Sequence, residues 1–301
     1  MPGCQRPAAP DYRPKPAHGR LFCGLTHAPG DQAKTMKTGL FIATATLYGI
    51  ACILYLTLLT RRSGSMRRLP GIVFVSALGA HLAFLMLEGP PPGDIPLADI
   101  SQILSISSLG IGIAFLLASY RFDVTVLGAF VVPVALMLFL ASGLGSSYAP
   151  VSPPVESAML TLHIGANILG LIAFALAFGA GIAYVLQERL LRRRQLSGLF
   201  QRLPSLDVLD TIGLRAVLTG FPLLTFGMVT GTFWLLRADG SEFYVSQMLG
   251  LLAWAIFAAV IVLRVAAGWQ GRKAALGTIM GFVCTLLVLA GYVVRAAGGS
   301  A

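Results

Sequence analysis

From Met36 onward the chain divides almost without remainder into apolar runs of about 17 to 25 residues, each long enough to cross ~30 Å of hydrocarbon. No water reaches peptide groups at that depth, so such runs must fold as helices, whose backbone hydrogen bonds close within the segment. Eight spans are predicted, at 38–60, 70–87, 98–119, 124–142, 158–187, 208–236, 244–267 and 273–297. The expected fold class is therefore an all-α, polytopic integral membrane protein of about eight transmembrane helices, with 36–301 as one membrane domain. Composition agrees: 56% of residues are hydrophobic and only 11% are charged, against about a quarter charged in an ordinary globular chain. Little sequence is left for a soluble domain.

The formal charge of +10 would suit nucleic acid, but the basic residues sit in short clusters between apolar runs, without interleaved exposed aromatics. Charge of this kind orients helices in a bilayer. The loops after spans one, three, five and seven carry Arg61, Arg62, Arg67, Arg68, Arg121, the run from Arg189 to Arg202, Arg264, Arg272 and Lys273. The alternate loops carry Glu88, Asp94, Asp99, Glu156, Asp239 and Glu242, with Arg237 as their base. The positive-inside rule then predicts that both termini are extracytoplasmic. Spans five and six exceed the bilayer, and their excess is expected as amphipathic turns around the connection from Gln187 to Pro204.

Residues 1–35 are rich in Pro, Gly and Arg, lack periodicity and lack a signal peptide's apolar core. They are expected to be disordered, and Met36 is a candidate true start, which would make the preceding segment a start-site artefact. N-terminal sequencing that begins upstream of Met36 would refute this. Cys4, Cys23, Cys52 and Cys284 form no C-x-x-C pair and no C-x-x-C-H haem-attachment motif, so the chain is not itself a c-type cytochrome. No inverted repeat of the transporter kind stands out.

Polar side chains inside the spans ask for partners, because their alternative is hydrocarbon. His81, in SALGAHLAFLML, and His163, in AMLTLHIGANILG, both lie about 7 to 9 Å below the predicted outer surface. Equal depth permits two imidazoles to share one metal without requiring it, and a histidine here can equally serve helix packing. Asn167 shares the His163 helix face, and Ser101, Ser105 and Ser108 stripe span three beside Gln102. An outward-opening polar cavity lined by spans two, three and five would account for the set. Gly227 and Gly231, a G-x-x-x-G in span six, read as close helix packing. Asp210 and Arg215 read as a juxtamembrane carboxylate and a snorkelling arginine. Walker loops, G-x-G-x-x-G turns, H-E-x-x-H helices and Ser/His/Asp sets are absent, so an enzyme is not expected.

The segment LPSLDVLDTIGLRAVLTGFPLLTFGMVTGTFW (203–234) resembles the cytochrome c assembly protein family, the CcsA/CcmC group, particularly its HemX-like and YpjD-like branch. LHIGANILGLIAFALAFGAGIAYVLQE (162–188) is similar to the family's outer-face histidine helix, and GWQGRKAALGTIMGF (268–282) to the start of its last span. The resemblance implies a haem-handling protein of the bacterial inner membrane. It makes His163 an outer-side axial ligand and His81 the candidate partner ligand, and the polar cluster around them adds Asn167, Gln102 and Ser105 as candidate haem-binding residues. Implied partners are haem, membrane lipids and other cytochrome-maturation or tetrapyrrole-pathway membrane proteins. The chain departs from the family at LLRADGSEFYVSQML (235–249), which lacks the W-x-W-D platform. It departs again at Val262, where a histidine is expected, and no histidine follows His163. A reduced, HemX-like haem protein is thus favoured over a complete attachment machine. A small-solute transporter and a non-haem scaffold or regulatory subunit are the alternatives.

Overall fold

The computed structural model describes residues 29–60, 68–89, 99–122, 124–144, 154–195, 198–237 and 245–298. Among them are eight α-helices and no strand: α1 (Pro29–Thr60), α2 (Leu69–Glu88), α3 (Ile100–Phe122), α4 (Gly128–Ser142, entered through a 3-10 turn at Thr125–Leu127), α5 (Pro154–Arg192), α6 (Leu206–Arg237), α7 (Val245–Ala266) and α8 (Arg272–Gly298). Each of the eight is long and apolar enough to cross a membrane, α4 together with its entering turn. The outward faces carry exposed Ile53, Ile72, Met86, Leu117, Val229, Val265 and Met280. Such a surface is stable only where lipid is the solvent. This is a multi-pass membrane protein.

The boundaries differ from the predicted ones chiefly at α1, which begins at Pro29. Residues 29–35 therefore belong to a helix, although they fall in the segment expected to be disordered. Proline's fixed φ suits the first helical position, and Gln32, Ala33 and Lys34 are good helix formers. Residues 1–28 lie outside the described residues. At its 39 residues α5 is the longest helix, about 58 Å end to end at 1.5 Å per residue. That is longer than the hydrocarbon core requires, and its last turn carries Arg189 and Arg192.

Packing centres on α5, which lies against α6, α8, α3 and α4. Gly181 lets α8 approach closely, since a Cβ there would stand 3.3 Å from the Ala275 carbonyl. On one side an aromatic core of Tyr48, Tyr55, Phe74, Phe115 and Phe139 joins α1 to α4 through edge-on and stacked contacts. On the other, Phe174 of α5 stacks on Phe257 of α7 at 3.9 Å between centroids.

The serine stripe of α3 is spent on this packing. Ser101 Oγ donates to the Ser142 carbonyl at 2.6 Å, satisfying an orphan acceptor at the end of α4, and Ser108 Oγ donates to the Ala135 carbonyl at 2.7 Å. Asp210, near the start of α6, forms a two-pronged ion pair with Arg264 in the last turn of α7. The carboxylate read as juxtamembrane is thus an interhelical clamp.

Candidate functional site

His163 and Asn167 sit one turn apart on α5, facing α6 where its glycines are. A Cβ at Gly227 would fall 2.4 Å from Asn167 Oδ1, and one at Gly231 would fall 3.2 Å from His163 Cε1. The G-x-x-x-G is therefore a cradle of close approach, in which the two polar side chains occupy the volume that Cβ atoms would fill. Thr230, between these glycines and 3% exposed, faces His163 across the helix interface.

The hydrogen bonds define the protonation of the ring. Asn167 Nδ2 donates to the His163 carbonyl at 2.8 Å and lies 3.2 Å from His163 Nε2. With the Asn167 amide nitrogen turned toward the ring as a donor, the lone pair is assigned to Nε2. The proton of the neutral ring is then on Nδ1, which donates to Thr230 Oγ1 at 2.7 Å. The Thr230 hydroxyl is free to accept it because its own proton goes to the Phe226 carbonyl at 2.8 Å. The chain Asn167, His163, Thr230, Phe226 thus runs in one direction and leaves a half-buried Nε2 lone pair whose contact is the long one.

His81 is placed differently. It is fully buried, with Nδ1 3.0 Å from the Tyr48 hydroxyl and Nε2 2.9 Å from Ser105 Oγ. Phe139 packs edge-on against the ring at 4.4 Å. Both nitrogens are occupied, and the imidazole ties α2 to α1 and α3. Gln102 donates from Nε2 to the Gly89 carbonyl at 3.1 Å and clasps the end of α2. The residues singled out in sequence therefore separate into two clusters. Asn167 joins His163, Ser105 joins His81, and Gln102 joins neither.

An imidazole ligand needs an unprotonated nitrogen and a partner holding the other one. His163 meets both conditions, so its donor chemistry fits haem iron. Asn167 can also yield the Nε2 contact while keeping its shorter bond to the carbonyl. Among the described residues no group of three or more His, Cys, Asp or Glu gathers as a metal site. Thr230 and Tyr48 were not singled out in the sequence. Thr230 was legible in principle, since it lies within the same G-x-x-x-G, whereas Tyr48 is 33 residues from His81 and only folding joins them.

No solved structure matches the chain significantly. The chain is 28% identical to "Cytochrome c biogenesis protein CcsA" of Microcystis aeruginosa, over 77% of this chain and 88% of the relative. The protein of the same name from Gloeothece citriformis is 27% identical over the same shares. That from Prochlorococcus marinus strain MIT 9301 is 25% identical over 66% and 73%. The profile of the family described as "Cytochrome C assembly protein" matches residues 38–298. A match over nearly the whole membrane domain identifies the chain as a member of the cytochrome c assembly protein family.

Proposed function

We propose that this protein handles haem in cytochrome c assembly, and that His163 is the side chain holding it near the outer face of the membrane. The observation that carries the reading is the one-directional hydrogen-bond chain that leaves the His163 Nε2 lone pair unprotonated. Haem, when bound, would supply an iron that an imidazole nitrogen can ligate, and His163 would hold it. Thr230 orients the ring, Asn167 covers the lone pair, and Gly227 and Gly231 supply the room. A ligand role for His81 would require freeing one ring nitrogen, from Tyr48 or from Ser105, in a fully buried site, so His163 alone carries the proposal.

Charge supports an orientation with both termini outside, in a bacterial inner membrane, with His163 toward the outer leaflet. The missing W-x-W-D at 235–249 supports a HemX-like presenting or regulatory role, beside cytochrome-maturation or tetrapyrrole-pathway partners, over complete haem attachment. A polar-solute conduit loses its motivation, because Ser101 and Ser108 are committed to α4 and Ser105 to His81. The test is the absorption spectrum of protein purified with a haem supply. A Soret band lost in His163→Ala and retained per folded molecule in His81→Ala is expected. Absence of the band in wild type, or its indifference to His163→Ala, overturns the reading.

A further inference from the structure

At the end of the molecule opposite to His163, the last turn of α5 and the start of α8 enclose an open cleft of about 350 Å³. It is lined by Val185, Glu188, Arg189, Arg192, Arg193 and Arg272. Three of the arginines sit at i, i+3 and i+4, so the helix itself aligns them on one face. A Schellman turn ends α5 immediately after them: Gln195 N–H reaches the Leu190 carbonyl and Arg194 N–H the Leu191 carbonyl, both at 3.0 Å, with Arg194 at φ 55°. From the other side, Gly271 at φ 68° brings the start of α8 onto α5, where a Cβ would stand 2.6 Å from the Tyr184 hydroxyl oxygen. Arg272 follows directly and reaches the same cleft.

Charges that only orient a protein in the bilayer act from anywhere in a loop. Here four guanidiniums converge on one space against one carboxylate, an excess of three positive charges. Glu188 is engaged by Arg192, whose Nε donates to its Oε1 at 2.8 Å. Among the described residues Arg189, Arg193 and Arg272 have no carboxylate partner. Like charges held this close repel unless an anion lies between them, and the N-terminus of α8 adds its own positive end. Planar guanidinium forks match the oxygens of a phosphate group. Arg192 is also the last residue of the apolar span from Met159, so the cleft lies at the polar end of that helix.

We propose that this cleft binds a phosphate group, carried either by an anionic membrane phospholipid or by a soluble phosphate ester. The full chain is reconstituted in phosphatidylcholine nanodiscs, and its unfolding temperature is followed with increasing phosphatidylglycerol or, separately, with glycerol 3-phosphate. Saturable stabilisation by the lipid alone identifies a headgroup site, and saturable stabilisation by glycerol 3-phosphate identifies a soluble ester. Either result supports the proposal if Arg189→Gln/Arg272→Gln weakens the apparent affinity by about 30-fold. Arg121→Gln, at the end of α3 and outside the cleft, should leave the titration unchanged. Arg193→Gln provides an independent reading should the double variant fold poorly. Absence of stabilisation in wild type, or an Arg121→Gln loss equal to that of the cleft variants, overturns the proposal.

Discussion

Replacing Thr230 by valine separates the hydrogen-bond frame around His163 from its packing. Valine keeps the shape of threonine and removes the hydroxyl that accepts from His163 Nδ1 at 2.7 Å. Two responses are open to the ring. It can keep its proton on Nδ1, now an unsatisfied donor in a partly buried site, at a cost of about 1–3 kcal/mol. Alternatively it can move the proton to Nε2, where it would point at the Asn167 amide donor 3.2 Å away and abolish the lone pair that binds iron. Both responses lower affinity for a ligand taken at Nε2. The desolvation cost falls on the free and the bound protein alike, so the affinity loss is set by ring orientation and tautomer, at the ~10–100-fold typical of partners that orient a metal-binding histidine. Haem titration of the purified protein, followed at the Soret band, measures the effect, with Thr230→Ser restoring the wild-type affinity. Should Thr230→Val bind haem as tightly as wild type while His163→Ala does not bind, the assignment of proton and lone pair would be refuted.

Gly227→Ala drives a Cβ to 2.4 Å from Asn167 Oδ1, so the amide must turn out of its cradle. It is expected to lower stability by about 1–3 kcal/mol, read as a fall in unfolding temperature in detergent. His81→Ala leaves a cavity and orphans both Tyr48 and Ser105. Destabilisation of about 2–5 kcal/mol follows, visible in thermal unfolding, with haem binding per folded molecule unchanged. For Asp210 and Arg264, the side chains are 26% and 13% exposed, so the clamp is only partly desolvated. A double-mutant cycle through Asp210→Asn and Arg264→Gln should give a coupling of about 1–2 kcal/mol, and a coupling near zero would assign the contact to packing alone.

The division of labour between sequence and structure is clear in particular residues. The apolar run from Gly39 to Thr60 has to be a membrane helix wherever it packs, because run length and the need to satisfy backbone groups are local properties. The same local logic placed His163 and Asn167 on one helix face and marked Gly227 and Gly231 as a site of close approach. It could not extend to the two histidines together. Equal depth in the bilayer is a one-dimensional coordinate, and it left open whether His81 and His163 face each other. The rotation of each helix about its axis decided that, turning His81 toward Tyr48 and Ser105 and His163 toward Thr230. The serines of α3 followed the same rule, polar in sequence but assigned to α4 only once the helices packed. Sequence by itself determined eight membrane-spanning helices and the residues available for chemistry. Tertiary structure decided which of them meet, because helix rotation and neighbour choice arise from contacts between segments far apart in the chain.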